Sequence, residues 1–271
     1  MIATHSSVFI NGVTPDRITH LQPLGTPYEA YTPTTATSGI LHDLGYQNSD
    51  ALFFDQLVVL EGPSDTDVLP TLLRLDGRIQ GRTLQNTGFL SIEGINDSAR
   101  EIQTKILRFE RLLGALGRAR MPRQYLLDGD REPNDAVLLQ GTRSPATNEP
   151  VNVQFLRRVE IENYLLISDA IASAISEEAT LASVVVNADS AAVQVKLAEL
   201  LASDDEKLFP KGKGAAPIEK VKASRLLEKL YAHFGNLRYD KNRSGQVIAR
   251  KIKANNAIGL DELVGQLDVL K

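Results

Sequence analysis

The sequence predicts an α/β fold, in which a mainly parallel sheet is flanked by helices and followed by a helical C-terminal region. The run Leu57–Leu60 is apolar without alternation, which is typical of a strand buried on both faces of a parallel sheet. A second apolar run, Tyr125–Leu127, has the same character. Segments with helical spacing separate these runs, and the order strand, helix, strand, helix, strand is that of βαβ units.

Composition limits the classes of function. The 271 residues can form one large domain or two small ones, and a formal net charge of −4 argues against nucleic-acid binding over the whole surface while allowing a local basic strip. The absence of cysteine excludes a disulfide framework and a cysteine-ligated zinc site. No stretch reaches the roughly 18 apolar residues of a membrane span, and the start lacks a signal-peptide pattern. We therefore expect a cytoplasmic protein without a membrane partner.

The first 48 residues precede the predicted sheet. Residues 2–10 resemble the end of an ABC-type ATPase head, in which a strand runs into Thr-His-Ser, here Thr4-His5-Ser6. A surface histidine before a strand is the alternative reading of His5. The P-loop pattern G-x-x-x-x-G-K-[ST] is missing, so we do not expect the isolated chain to bind ATP. Residues 25–48 are rich in Thr, Pro, Gly and Ser, which indicates a linker.

The first core strand ends in two nearby carboxylates. Glu61 ends the apolar run, and Asp65 follows four residues later, after a Gly-Pro turn. Both would lie at the carboxyl end of the strand, where open α/β sheets bind ligands. We expect a helix from about residue 67 to 75, capped by Ser64 or Asp65, with Pro70 tolerated because it lies near the first turn. A plain helix cap is the alternative role of Asp65.

Two further strands follow, with a helix between them. Residues 88–94 are predicted to be the second strand, with Glu93 near its end pointing away from the other acidic residues. The helix is expected from Ser98 to about Leu116, because apolar residues recur there at three- and four-residue spacing. The third strand, residues 125–128, runs into Asp128-Gly129-Asp130.

The Asp-Gly-Asp sequence has two interpretations. Acidic residues crowded at strand ends repel one another, and a divalent cation is the usual reason to tolerate that. Alternatively, Asp128–Asp130 is a plain turn, because Asp-Gly favours turns.

The rest of the chain is predicted to be a loop, a strand and then helices. Residues 131–150 are polar with three prolines, and residues 151–156 alternate as a strand does. Next comes the segment 157–166, for which an amphipathic helix with an exposed Arg/Glu face is one alternative. Further on we expect a helical stretch at 169–201, a basic loop at 210–215, a helix at 218–234, a turn at 239–245 before a helix containing Ile248 and Ile252, and a closing helix at 260–270.

Together these motifs resemble the Toprim signature, a Glu after the first strand (Glu61) and Asp-x-Asp after a later one (Asp128 and Asp130). The segment 157–165, Arg-Arg-x-Glu-Ile-Glu-Asn-Tyr-Leu, resembles the corresponding segment of the OLD (overcoming lysogenization defect) family, which joins an ABC-type ATPase to a Toprim nuclease. The resemblance covers residues 49–252. It implies an ATPase remnant and linker at 1–48, a Rossmann-like Toprim core at 49–168, and a helical region at 169–271 whose late basic motif completes the site.

The resemblance implies DNA cleavage by two-metal phosphodiester hydrolysis with Mg²⁺ or Mn²⁺, ions that suit oxygen ligands. Glu61, Asp128 and Asp130 would bind one ion. Asp65, with Glu162 or Glu160, would bind the second.

The family also uses a late lysine to neutralise the scissile phosphate. Lys241 is the first candidate, because it is predicted to lie in a turn before a helix; Lys222 follows, then Lys211 and Lys213. A plain surface role is the alternative for each. Arg157 and Arg158 are candidates to contact the DNA backbone or to orient Glu160 and Glu162 by bidentate pairing.

Two functional classes remain open. The first is a DNA endonuclease or nickase governed by an ABC-type ATPase in the same or a separate chain; full-length relatives would dimerise through that ATPase. Topoisomerases and primases share the Toprim core, but a topoisomerase needs a catalytic tyrosine in a separate domain, and Tyr164 and Tyr231 are predicted to be structural. The second class is a catalytically degenerate module for DNA binding or assembly, against which the retained carboxylates argue.

Overall fold

The structure, a computed structural model, describes residues 17–22, 29–31, 54–77, 79, 81–92, 98–212, 214, 217–254 and 259–270. The strands are β1 His20–Gln22, β2 Glu29–Tyr31, β3 Gln56–Leu60, β4 Thr87–Ser91, β5 Arg123–Leu127 and β6 Val153–Phe155. The helices are α1 Asp65–Leu73, α2 Gly81–Gln85, α3 Ala99–Ala115, α4 Pro133–Gln140, α5 Ser168–Leu181, α6 Ser190–Ala202, α7 Pro217–Lys220, α8 Ala223–Gly235, α9 Lys241–Lys251 and α10 Leu260–Gly265, with 3₁₀ helices at Ile161–Leu165 and Asp268–Leu270. In these ranges no helix has both the length and the apolar character needed to cross a bilayer.

Four parallel strands form the central sheet, in the order β4-β3-β5-β6. Each connection contains helix: α1 and α2 join β3 to β4, α3 joins β4 to β5, and α4 joins β5 to β6. In the β3–β4 register, Gln56 lies opposite Thr87 and Leu60 opposite Ser91. The short strands β1 and β2 form a separate antiparallel pair. The predicted α/β class with a parallel, Rossmann-like sheet is confirmed.

The chain divides into two compact units. The first comprises the described residues of Met1–Gly62, Gln85–Tyr125 and Glu132–Val153, and the second those of Pro63–Leu84, Leu126–Arg131 and Gln154–Lys271. The domain boundaries predicted at residues 48 and 168 stay predictions.

In the first unit, helix α3 buries the apolar stripe that its sequence predicts. Ile102, Ile106 and Phe109 are at most 1% exposed. The helix begins with a capping box, because the Glu101 carboxylate accepts a hydrogen bond from the Ser98 amide at 2.7 Å while the Glu101 amide donates to Ser98 Oγ at 3.4 Å. The predicted bounds of this helix are confirmed to within one residue.

A buried ion pair also belongs to the first unit. The Arg123 guanidinium donates to both carboxylate oxygens of Glu110, at 2.6 and 2.5 Å, and the Tyr125 hydroxyl donates at 2.8 Å. Burial alone would raise the pKa of Glu110, but these donors and Ser144 hold it below its ordinary value. The pair thus links α3 to β5.

In the second unit, Glu178 on α5 joins three helices. Its carboxylate accepts hydrogen bonds from the Tyr231 hydroxyl of α8 and from Ser244 Oγ of α9, both at 3.2 Å. Asp240 caps α9 by accepting from the amides of residues 242 and 243. These contacts fix the start of α9, whose first residue is Lys241.

Several predicted elements are wrong in their bounds. Helix α1 begins at Asp65, so Pro70 is its sixth residue and lies beyond the first turn, where it removes one helical hydrogen bond. Ser64 occupies the N-cap position without a side-chain capping bond. The region predicted as a loop at 131–150 contains α4, whose Pro133 occupies the first turn, a position that favours helix initiation.

The C-terminal helices are shorter than predicted. The stretch 169–201 forms two helices, and the closing stretch is α10 followed by a 3₁₀ helix. The stretch 218–234 breaks at Lys222, because its amide donates to the Leu208 carbonyl at 2.8 Å instead of continuing α7. Lys241 is the first residue of α9 and does not lie in a turn before it.

The segment 157–166 is not an amphipathic helix. Its first residues carry no regular structure, and a buried 3₁₀ helix follows. Strand β2 falls inside the predicted linker. Residues 2–10, Glu93 and Lys213 lie outside the described residues, so the predictions made for them stay predictions.

Candidate functional site

Five carboxylates and two lysines meet in the second unit, and we call these seven residues the acidic cluster. The carboxylates come from three segments: the start of α1, the turn after β5, and the 3₁₀ helix with the residue before it. The lysines lie at the N-terminal ends of α8 and α9. The members are Asp65, Asp128, Asp130, Glu160, Glu162, Lys222 and Lys241.

The turn after β5 needs glycine between its two aspartates. The Gly129 amide donates to the Val159 carbonyl at 3.0 Å, which brings the two backbone segments close together. A Cβ at position 129 would lie 2.2 Å from the carbonyl oxygens of Leu156 and Arg158. The turn at Gly129-Asp130 therefore lies against residues 156–159, and Asp130 and Glu160 both contact Lys222.

Lys222 joins two of the carboxylate segments. Its Nζ lies 2.5 Å from Asp130 Oδ2 and 3.6 Å from Glu160 Oε1. Burial opposes its charge, but the hydrogen bond to Asp130 and the charges of Glu160 and Asp128 outweigh it and raise the pKa of Lys222. Lys222 therefore keeps its charge at neutral pH.

Lys241 is the counter-ion of the 3₁₀ segment. Its Nζ lies 3.1 Å from Glu162 Oε1 and 3.9 Å from Glu160 Oε1, and 44% of its side chain is exposed. Burial opposes its charge, but Glu162, Glu160 and Asp128 raise the pKa of Lys241. A cation in the first turn of a helix is disfavoured by the helix dipole, so these carboxylates compensate for a locally unfavourable placement.

Glu160 is held by the start of helix α8. Its Oε2 accepts from the Ser224 amide at 2.9 Å, and its Oε1 accepts from Ser224 Oγ at 3.0 Å. The carboxylate takes the place of an N-cap side chain, which Lys222 at that position does not supply. Sequence reasoning missed Ser224, because nothing in the local pattern connects it to a residue 64 positions earlier.

Glu162 is the most deeply buried carboxylate of the cluster. It is 2% exposed, and burial, together with the charges of Glu160 and Asp65, raises its pKa to about 7, although Lys241 acts in the opposite direction. Asp65, 8% exposed at the start of α1, accepts from Ser64 Oγ at 3.2 Å. The cluster therefore carries more negative charge than its two lysines neutralise.

Tyr239 adds an unpaired hydroxyl that sequence reasoning missed. The residue is 6% exposed, and its hydroxyl has no hydrogen-bond partner among the described residues. Burial and the charges of Glu162, Tyr231 and Glu160 raise the pKa of Tyr239 well above its ordinary value. A neutral, buried donor thus lies within the field of the cluster.

The prediction that Arg158 orients Glu160 and Glu162 by bidentate pairing is wrong, and its predicted contact with the DNA backbone stays a prediction. Arg158 is 5% exposed, stacks on the Tyr164 ring at 4.5 Å, donates to the Asn163 carbonyl at 3.1 Å and lies 3.6 Å from Glu262 Oε1. Arg158 thus has a structural role, because its partners lie in the 3₁₀ helix at Ile161–Leu165 and in α10. Arg157 is exposed, so its predicted contact with DNA stays a prediction.

The remaining candidates are placed as follows. Glu61 belongs to the first unit, directly after β3, and is half-buried. Lys211 Nζ donates to the backbone carbonyl of Asp130. Tyr164 and Tyr231 are buried, and their hydroxyls donate to Glu262 and Glu178, as their predicted structural role requires.

The donor set of the cluster fits a hard divalent cation, because every side-chain ligand available there is a carboxylate oxygen. Within the described residues, however, no group of three or more Asp, Glu or His side chains is already placed to hold a metal ion. The ammonium groups of Lys222 and Lys241 instead contact Asp130, Glu160 and Glu162. The carboxylates of the site suit Mg²⁺ or Mn²⁺ as ligands, but in this structure they contact the ammonium groups of the two lysines.

Of two cavities in the second unit, one borders the acidic cluster. One of about 170 Å³ borders Asp130 and Lys222. A larger one, of about 440 Å³, is lined by residues of α5, α6 and the end of α9, including Asp169 and Lys251, and by no residue of the acidic cluster. The smaller cavity is therefore the relevant one for the cluster.

Comparison of the chain with protein-family models, with curated proteins and with solved structures gives no match. The likeness to Toprim nucleases therefore depends on the motif residues quoted above.

Proposed function

We propose that this chain is a metal-dependent DNA endonuclease or nickase of the Toprim type, the nuclease part of an ATPase–nuclease. The observation that carries the proposal is the acidic cluster itself: its five carboxylates, from three segments, carry more negative charge than its two lysines neutralise, and burial, followed by the charges of Glu160 and Asp65, raises the pKa of Glu162. Such charge is stabilised by divalent cations, and phosphodiester hydrolysis is a reaction that carboxylate-bound cations promote.

We divide the carboxylates into positioning and ligand roles by their contacts. Glu160 is occupied by Ser224 and both lysines, which favours a positioning role for it. Asp65, Asp128, Asp130 and Glu162 are then the ligands within the second unit, and the Toprim resemblance adds Glu61. Two bound ions would supply an activated water and stabilise the leaving oxygen.

The two lysines have different roles in this proposal. Lys241 is partly exposed and firmly protonated, so its ammonium can contact a phosphate at the mouth of the cluster while remaining near Glu162. Lys222 is only 26% exposed and holds Asp130 at 2.5 Å, which suits a residue that orients this carboxylate. We assign Lys241 to neutralise the scissile phosphate, and Lys222 to position Asp130.

The alternative is a catalytically degenerate module that binds DNA or mediates assembly. Two observations favour it: the lysines already contact the carboxylates, and no described group of side chains is already placed to hold a metal. In that case the cluster would be a closed ion-pair network with a structural role. Regulation by an ABC-type ATPase, in the same or another chain, belongs to the nuclease proposal and depends on the family resemblance.

A plasmid assay tests the proposal. Supercoiled DNA is incubated with the native chain in Mg²⁺, in Mn²⁺ and in chelator, and with Asp128→Ala, Asp65→Asn and Asp67→Asn. Asp67 lies in the same turn of α1 as Asp65 but is exposed, so it is the matched control. We expect metal-dependent nicking or linearisation that falls at least about 100-fold in the first two variants and is unchanged in the third. Cleavage that persists in Asp128→Ala would contradict the proposal, and DNA binding without cleavage in any metal would favour the module.

A further inference from the structure

The cavity of about 170 Å³ beside the acidic cluster has a basic lining. Three lysines, Lys211, Lys220 and Lys222, line it together with Asp130 and the backbone of Gly129. With Asp130 counted, the formal charge of these side chains is +2. We call this cavity the lysine pocket.

The positions of the three lysines are fixed to different degrees. Lys222 is anchored by Asp130 and Glu160, and Lys211 donates to the Asp130 backbone carbonyl. Lys220, the last residue of α7, is exposed, and its side chain forms no ion pair with any residue that the structure describes. Within the described ranges, the Lys220 ammonium group therefore lines the pocket without a carboxylate partner.

A pocket of this charge and size suits a phosphate group. Lysine ammonium groups bind phosphate oxygens as point charges, and nucleic-acid backbones supply such groups at regular spacing. Because Lys222 lines the pocket and also contacts the cluster residues Asp130 and Glu160, a phosphate bound there would lie next to the cluster.

We propose that the lysine pocket binds a backbone phosphate of the DNA strand adjacent to the scissile phosphate, with Lys220 and Lys211 as its binding residues. This inference rests on the proposed function, since it assigns DNA as the substrate of the same site. These two lysines are not among the predicted metal ligands, and they would determine the position of the DNA strand relative to the acidic cluster.

The test measures DNA binding without cleavage. A fluorescent duplex oligonucleotide is titrated with the full chain in chelator over a range of KCl concentrations, and the slope of log affinity against log salt is determined. The variants are Lys220→Ala and Lys211→Ala, and the control is Lys253→Ala, an exposed lysine that does not line this pocket. Losing one phosphate contact should weaken binding roughly fivefold to tenfold and reduce the slope by about one.

The outcomes separate this inference from the nuclease proposal. A slope that is unchanged in both pocket variants, or native protein that does not bind DNA, overturns the lysine pocket as a DNA subsite, whatever the plasmid assay shows. A slope that falls in these variants alone supports it, even where no metal allows cleavage. Inorganic phosphate at matched ionic strength is the second probe: if it binds in a Lys220-dependent way while DNA does not, the pocket serves a small anion and the assignment to DNA is wrong.

Discussion

Replacing the buried carboxylate of Glu162 by an amide tests the electrostatics of the cluster. Glu162 is 2% exposed and faces the charges of Lys241, Glu160 and Asp65, with the Tyr239 hydroxyl nearby. Its pKa rises from an ordinary 4.5 to about 7. Each pKa unit of difference between the folded and unfolded chain is worth about 1.4 kcal/mol, so ionised Glu162 lowers the free energy of unfolding by at most roughly 3–4 kcal/mol above pH 7.

The sign of the pH dependence follows from proton uptake. Between pH 4.5 and about 7 the unfolded chain has released the Glu162 proton while the folded chain retains it. The contribution of Glu162 to the free energy of unfolding therefore falls as pH rises through this window and is constant above it. In Glu162→Gln the fall should be absent, and at pH 8 in chelator the variant should be more stable than the native chain by roughly 1–3 kcal/mol.

Urea unfolding at several pH values between 5 and 8, all in chelator, measures this difference. Glu206→Gln makes the same replacement at an exposed position and should change stability by less than about 0.5 kcal/mol. Adding Mn²⁺ should then stabilise the native chain more than Glu162→Gln, because only the native chain offers this ligand. A Glu162→Gln protein that is less stable than the native chain at pH 8, or a stability difference between the two proteins that does not change between pH 5 and 7, would refute the reasoning.

Three further predictions concern single side chains. Gly129→Ala should lose at least about 2 kcal/mol of stability in urea unfolding, because its Cβ would lie 2.2 Å from two backbone carbonyls; Gly77→Ala, where nothing lies within 4 Å, is the control, and equal losses would contradict the geometry. Tyr239→Phe removes a buried hydroxyl that has no hydrogen-bond partner in the described part of the chain, and it should raise stability by about 1 kcal/mol, whereas a clear loss would mean that the hydroxyl has a partner. Glu110→Gln should lose about 3 kcal/mol at pH 7, and because the pKa of Glu110 is lowered, the difference from the native chain should shrink as pH falls below about 4.5; a constant difference in acid unfolding curves would be inconsistent with that cause.

The strands and the acidic turn were predictable from local sequence. Unbroken apolar runs at Leu57–Leu60 and Tyr125–Leu127 are sufficient to identify strands buried on both faces, and the intervening helices then require a parallel sheet. The bounds of α3 follow from its capping box at Ser98 and Glu101. In these segments the local pattern and the tertiary environment favour the same structure.

Most of the predictions that failed concern residues whose partners are distant in the sequence. The Leu208 carbonyl and Glu160 determine the break before α8, because they accept hydrogen bonds from the amides of Lys222 and Ser224. The local sequence around Lys222 predicts neither of these contacts. Arg158 was expected to pair with nearby carboxylates, but its partners include Glu262, about a hundred residues further along the chain. Helix α4 is different: Pro133 in its first turn was a local signal that the polar composition of its surroundings concealed.

The most direct test of the proposed metal centre is a titration of the native chain with Mn²⁺ at pH 8. Electron paramagnetic resonance measures the concentration of free Mn²⁺ at each step, and Asp128→Asn and Asp67→Asn are titrated in parallel. If the acidic cluster is a metal centre, the native chain and Asp67→Asn should bind two ions per chain, and Asp128→Asn should bind fewer or bind them at least about tenfold more weakly. If the native chain binds no Mn²⁺ at millimolar concentration, or if Asp128→Asn binds it equally well, the carboxylates form a closed network with Lys222 and Lys241, and the proposed metal-dependent nuclease is wrong.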